Sequence, residues 1–456
     1  MIALSTVYIS LIVKKYGDKP FIGIPVRNRK DETEGTDQIF FDWFTYSQVH
    51  IMANNFSKSL VELGLLKIKQ YHEFSMKSLG IICRNSLEWV ISDLSCWNLG
   101  GTLIPISYSF DEDVMAFEIN KAELEVIVIE KIILEKIKNI ITQKKVTIIK
   151  TLIIFDKSFQ SEESFIDDLG IKIYSFQDLI KRGELLPDKI FEGSDKNTPL
   201  TVSFTCGSTG MQKGVIISHK NICAQVGALK LLKMVNLKSF TTHLSYLSLS
   251  QIYERISFYT SMVTGKAIAF GSGNFNTLQD ELKTVKPGIF LTTPKILYKL
   301  YFKIKNSIAN QTSVKKQTYK NALETKRNNF RKYGEYTHSY IDKTVLNQIT
   351  DILGGNVKII ITGTSNMNLK IKEYLILHFC CPIIECYGLT EATGIILLTD
   401  KNDLYSHLGA PPVPSCEVKL IKVPASSLIS LDKSKFIGEI CVKTEAQCLG
   451  YINDLE

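Results

Sequence analysis

Residues Ser203 to Gly214 read Ser-Phe-Thr-Cys-Gly-Ser-Thr-Gly-Met-Gln-Lys-Gly, a set of side chains suited to holding an anion. Gly207, Gly210 and Gly214 let backbone N–H groups turn inward and come close to an anionic oxygen. Thr205, Ser208 and Thr209 add rotatable hydroxyl donors, and Lys213 adds a compact positive charge. The chemistry this predicts is polyphosphate binding. The Walker spacing Gly-x-x-x-x-Gly-Lys-Ser/Thr is not met. A second string, Tyr387-Gly388-Leu389-Thr390-Glu391, follows an apolar run that ends at Ile384. It offers an aromatic ring able to stack on a nucleobase, a glycine that permits close approach, a hydroxyl able to reach a phosphate and a carboxylate able to hold a divalent cation. Alone, that string also fits a plain loop with a helix cap.

Such groups need elements to hold them, and the chain is long enough to supply several. Its 456 residues predict two or three domains, and 45% hydrophobic with 22% charged residues excludes a disordered chain, a collagen-like repeat and a multi-span membrane protein. The net charge of +8 is a mild excess that suits an anionic ligand or surface and does not imply nucleic acid. Ten cysteines without a regular framework read as reduced thiols facing the cytosol. The apolar start, Met1–Val13, lacks the basic flank and cleavage site of a signal peptide and is too short to span a bilayer, so a packed helix, or the cut end of a longer chain, is expected there.

Short apolar runs alternate with helical patterns. Strands are expected at Leu79–Cys83, Thr102–Pro105, Val126–Ile129, Thr151–Phe155, Ile171–Tyr174 and Leu200–Phe204, with helices at Ser86–Leu99 and Asp113–Lys121. Further strands are expected at Lys266–Phe270, Gly288–Leu291 and Val357–Thr362. The fold class is α/β, with two parallel-sheet subdomains over residues 1–190 and 191–405 and a small β-rich unit over 406–456. A basic helical stretch from Lys299 to Lys332 reads as a solvated helix pair, with attraction to anionic lipid or to ligand phosphates as a second reading.

Residues 203–214 resemble the phosphate loop of the adenylate-forming superfamily, which has a serine where this chain has Cys206 and a proline where it has Gln212. Tyr387-Gly388-Leu389-Thr390-Glu391 resembles that superfamily's adenine and Mg²⁺ motif, and Ile359-Ile360-Ile361-Thr362-Gly363-Thr364-Ser365 resembles a wall of its adenine pocket. The resemblance implies ATP contacts from Thr205, Gly207, Ser208, Thr209, Gly210, Lys213, Gly363, Thr364, Ser365, Tyr387, Gly388 and Thr390. It implies catalytic roles for Thr209, Lys213, Thr390 and Glu391, with Glu391 as the Mg²⁺ ligand.

Within the superfamily the chain is most similar to eukaryotic long-chain acyl-CoA synthetases. Arg84-Asn85-Ser86-Leu87-Glu88-Trp89, Ser218-His219-Lys220-Asn221, Ile252-Tyr253-Glu254-Arg255 and Gly438-Glu439-Ile440 carry that similarity across nearly the whole chain. It implies activation of a fatty acid through acyl-AMP to acyl-CoA, with ATP, Mg²⁺ and coenzyme A taking part. Gln251 stands where the group has a histidine near the acyl channel, and Arg255 is expected near that channel, or else in a structural ion pair with Glu254 or another acid. The group's C-terminal lid domain, with its adenylation lysine, is expected to be absent from these residues. Peripheral contact with a membrane, on the cytosolic face of the endoplasmic reticulum or elsewhere, completes the expectation. Two other readings stay open at this level: a ligase for another carboxylate, and a non-catalytic relic that binds nucleotide or acyl chain.

Overall fold

Apolar runs that lack polar alternation are buried on both faces, and here they assemble into an eight-stranded sheet. The computed structural model describes residues 6–28, 38–156, 170–191, 193–206, 212–232, 241–401, 403, 410–422 and 438–454. Across the sheet the strands run in the order Gly450–Tyr451, Gln212–Ser218, Pro199–Cys206, Thr102–Pro105, Ser78–Ile82, Val126–Glu130, Thr151–Phe155 and Lys172–Ser175. Pairing is parallel from Pro199–Cys206 through to Lys172–Ser175. It turns antiparallel at the Pro199–Cys206 and Gln212–Ser218 hairpin.

Helix caps follow the residue types. Ser86 accepts the Trp89 N–H at the start of the Leu87–Leu99 helix, and Gly100, at φ 60°, ends it. Asp111 accepts the Val114 N–H at the start of Glu112–Lys121. These two helices cover opposite faces of the sheet, so Trp89, Leu94 and Trp97 join one core cluster while Met115, Ile119 and Ala122 join another.

Two four-stranded sheets flank the large one. Ile289–Thr292, Ile359–Thr362, Ile383–Leu389 and Gly394–Leu398 form the first. The second contains Thr242–Ser245, Ala267–Phe270, Pro20–Asn28 and Gln38–Thr45.

The mixed α/β class with parallel sheets is the one expected, but the sheets do not follow the division at residue 190. Pro199–Cys206 lies beside Thr102–Pro105, and Pro20–Asn28 runs parallel to Ala267–Phe270. Hydrophobic periodicity reports each strand and not its distant partner, so a boundary drawn from a polar stretch missed these pairings. In the last segment, Cys416–Lys422 and Gly438–Thr444 make a separate two-stranded sheet, whereas Gly450–Tyr451 returns to the large sheet.

Met1–Ser5 lie outside the described residues, and from Thr6 the apolar stretch belongs to the Thr6–Tyr16 helix, which buries Ile9 and Ile12. No described helix is long and apolar enough to cross a membrane. The basic stretch is a helix pair, Pro294–Ala309 and Ser313–Tyr333. Its solvated description holds for Lys315, Lys316 and Lys320, which are exposed. It fails for Lys326, which is buried with its ammonium on Asp342 and on the Leu377 carbonyl, while Arg327 and Arg331 stay open to solvent as they reach Glu373.

Candidate active site

The phosphate hairpin sets Thr205 opposite Lys213 and Cys206 opposite Gln212. Gly207, Ser208, Thr209 and Gly210 lie outside the described residues. Beside the hairpin is a cavity of about 430 Å³ whose wall includes Thr205, Gln251, Thr364, Gly388 and Thr390. Residues from four separate segments therefore meet at one place. It lies beside the C-terminal ends of the parallel strands Thr102–Pro105 and Ile359–Thr362, where ligands of open α/β sheets usually bind.

Backbone geometry shapes the adenine side. A Cβ on Gly363 would stand 2.6 Å from Cys386 Sγ, and one on Gly388 would stand 1.9 Å from the Gly394 carbonyl oxygen, so both positions require glycine. Thr364 has φ 75°, a left-handed conformation that strains a β-branched residue and is found mostly where function demands it. Ser365 and Gly363 flank Thr364 but are not on the cavity wall. Tyr387 is also absent from the wall and packs with Ala392, Ile396 and Leu397.

Lys213 and Glu391 come together through a residue that motif reading missed. The Tyr451 hydroxyl donates to Glu391 Oε1 at 3.1 Å, and Lys213 Nζ lies 5.1 Å from the Tyr451 ring centre. Burial, then the Glu391 charge, pushes the Tyr451 hydroxyl up to about 12, so at neutral pH it remains a donor. Its sequence signal was the short Gly450-Tyr451 segment, paired through Val215 to the phosphate hairpin.

Asn85 is a second such residue. Its amide donates to the Leu247 carbonyl at 2.7 Å and its Oδ1 accepts from Leu249 N–H at 3.0 Å, which holds the turn leading to Gln251. A polar residue just past a parallel strand, directly before a helix cap, was the available clue.

Of the two places expected for Arg255, the structure shows the ion pair with another acid. Its guanidinium is buried 2.9 Å from Asp93 Oδ1, donates to the Tyr259 hydroxyl at 2.8 Å and lies over the Trp89 ring. It is not on the cavity wall, and its acid partner is Asp93 rather than Glu254. Glu254 instead meets His243 Nε2 at 2.9 Å. The i,i+4 spacing of Arg255 and Tyr259 turns both toward the Leu87–Leu99 helix, which carries Asp93.

An apolar slot of about 80 Å³ adjoins the main cavity and shares Tyr253 and Ile395 with it. Leu229, Ile256, Leu291 and Ile361 line the slot, and His243 and Lys266 add polar groups. Burial lowers the Lys266 ammonium to about 8. The Tyr253 hydroxyl donates toward the Ile361 and Thr292 carbonyls at 3.2 and 3.3 Å, which fixes the ring between the two spaces.

The arrangement can bind an anionic nucleotide beside an apolar tail. A profile of the AMP-binding enzyme family matches residues 26–452, and the chain belongs to that family. It is 30% identical over 456 residues to fatty acyl-CoA synthetase A of Dictyostelium discoideum, an alignment covering 99% of this chain and 65% of that protein. It is 28% identical over 444 residues to the peroxisomal long chain acyl-CoA synthetase 6 of Arabidopsis thaliana, covering 97% and 60%. The chain thus spans 60 to 65% of the length of these two relatives. Among solved structures, the A domain of a carboxylic acid reductase from Segniliparus rugosus, in complex with AMP and a co-purified carboxylic acid, superposes with TM-score 0.73 at 18% identity over 97% of this chain and 68% of that one.

Proposed function

We propose that the protein activates a long-chain fatty acid with ATP, forming acyl-AMP and pyrophosphate and then, with coenzyme A, the acyl-CoA. The observation that carries this reading is the convergence of Thr205, Gln251, Thr364, Gly388 and Thr390 on one cavity with an apolar slot at its side. A fatty carboxylate would enter with its head at Gln251, near Thr390, and the first part of its chain toward the slot. Carboxylate oxygen would attack the α-phosphorus in line while pyrophosphate departs, and a thiol would next displace AMP from the acyl carbon. Lys213 and the Thr205 hydroxyl, from facing positions of one hairpin, oppose the charge on the departing phosphates.

Among the described residues no group of three or more His, Cys, Asp or Glu side chains is placed to hold a metal ion by itself. The single carboxylate of Glu391 fits Mg²⁺ that arrives on phosphate oxygens, an ion that commonly takes only one or two protein carboxylates. When bound there, the ion would neutralise phosphate charge. Nine of the ten cysteines are free thiols in the structure, and a cytosolic-facing setting and contact with a membrane surface belong to the same proposal.

The test is exchange of labelled pyrophosphate into ATP by the full-length gene product, run with palmitate and with a panel of aryl and medium-chain carboxylates. Palmitate-dependent exchange is expected. Exchange with an aryl acid alone would move the substrate class, and ATP binding without exchange for any acid would leave a nucleotide-binding protein.

A further inference from the structure

One carboxyl group on the cavity wall has no assigned task. Glu118 is fully buried on the Glu112–Lys121 helix, lines the same cavity as Thr205 and Gln212, and neither of its carboxyl oxygens has a hydrogen-bond partner. A buried carboxyl in this state is destabilising unless a ligand satisfies it. The surroundings identify the kind of ligand. Strand alternation puts Gln212 on the same hairpin face as Gly214 and Ile216, and that face packs on the cluster containing Met115 and Ile119. Glu118 therefore sits under the phosphate hairpin, on the wall that Thr205 and Gln212 also line, and one continuous space joins it to the adenine turn at Thr364.

We propose that Glu118 is a binding residue for the phosphate tail of the nucleotide, a carboxylic acid whose O–H donates to a phosphoryl oxygen. This rests on the ATP-dependent reading above. Burial alone raises the Glu118 carboxyl to about 8, so the group is protonated at neutral pH and able to donate. The charged and titratable groups nearby are engaged elsewhere: Lys136 on the Tyr108 and Phe110 carbonyls, Lys121 on Asp454, Lys145 on Asp113, and Lys213 over Tyr451. Glu112 accepts from Asn139, and Tyr71 donates to the Ala122 carbonyl. Above about pH 8 Glu118 ionises, loses its donor and repels the polyphosphate, so nucleotide affinity falls with rising pH.

Calorimetric titration of the chain with Mg·ATP, pyrophosphate and AMP, for the wild type, Glu118→Leu and Glu118→Gln, tests this. Glu118→Leu removes an unsatisfied buried carboxyl, so its ligand-free form should melt no lower than wild type. It should nevertheless bind ATP and pyrophosphate about tenfold or more weakly, because a hydrogen bond to a charged group is lost, with AMP changed much less. Glu118→Gln keeps an uncharged donor and should restore binding while removing the fall in ATP affinity between about pH 7 and 9. Unchanged ATP binding by Glu118→Leu, equal losses for AMP and ATP, or the same pH slope in Glu118→Gln as in wild type would each overturn the assignment. Wild type that binds none of the three ligands would overturn the nucleotide reading itself, which is a distinct outcome.

Discussion

Lys213 and Lys316 carry the same ammonium group in opposite settings. Lys213 is half-buried on the phosphate hairpin, over the Tyr451 ring and near the carboxylate that Tyr451 holds. Lys316 is exposed on the Ser313–Tyr333 helix among Lys315 and Lys320. The helix has far more positive charge, yet water and salt screen it, whereas one half-buried lysine beside the cavity is screened less and acts at higher strength. Lys326 sharpens the point, since it belongs to the basic helix but is buried on Asp342 and the Leu377 carbonyl. Placement decides what a lysine does, and a count of charges does not reveal placement.

The largest expected effect is therefore within the basic helix and concerns stability. Lys326→Ala strands Asp342 and a buried carbonyl, and breaking such a pair commonly costs about 3–5 kcal/mol. Urea unfolding followed by circular dichroism reads this directly, and a change below about 1 kcal/mol would mean that the helix is held by other contacts.

Next is a pH effect at the same anchor. His378 is buried, its Nε2 accepting from the Tyr319 hydroxyl at 2.6 Å, and burial with the Lys326 and Arg327 charges lowers it to about 4. Because the unfolded chain takes this proton near pH 6.5, the unfolded state gains on acidification, so stability should fall from about pH 6.5 down toward 4 and rise no further above that window. Each unit inside the window costs up to about 1.4 kcal/mol. His378→Gln should flatten that part of the profile.

Third, Lys213→Ala should weaken Mg·ATP or pyrophosphate binding about 10–100-fold, the loss of a charge-assisted contact of about 1.5–3 kcal/mol, with little change in melting temperature. The smallest effect should be that of Lys316→Ala, within about 0.5 kcal/mol in both stability and nucleotide binding. An equal loss from Lys213→Ala and Lys316→Ala would end the distinction between the two regions.

Sequence pattern located the strands well because buried parallel strands are continuous apolar runs, as in Val126–Glu130 and Thr151–Phe155. It could not find the parallel partnership of Pro20–Asn28 with Ala267–Phe270, which depends on contacts between segments far apart in the chain. For the candidate site, the strings that combine glycine and hydroxyl chemistry pointed to Thr205, Thr364, Gly388 and Thr390, which share one cavity wall. For Arg255 an ion pair with some acid was legible as one of two readings, but not that the acid is Asp93, which is on another helix and which a local string does not show. Glu118 did carry a signal, a carboxylate within the apolar spacing of Met115, Ile119 and Ala122, but only the cavity gives that position a meaning.

The central claim is that a fatty carboxylate attacks the α-phosphate in this cavity, and isotope transfer tests it most directly. The full-length gene product would be incubated with Mg·ATP, coenzyme A and palmitate labelled with ¹⁸O in its carboxylate, and the AMP examined by mass spectrometry. Attack at the α-phosphorus followed by thiol attack at the acyl carbon leaves one carboxylate oxygen on AMP, so singly labelled AMP is the predicted result. Unlabelled AMP, or label found only in inorganic phosphate or pyrophosphate, would contradict the account.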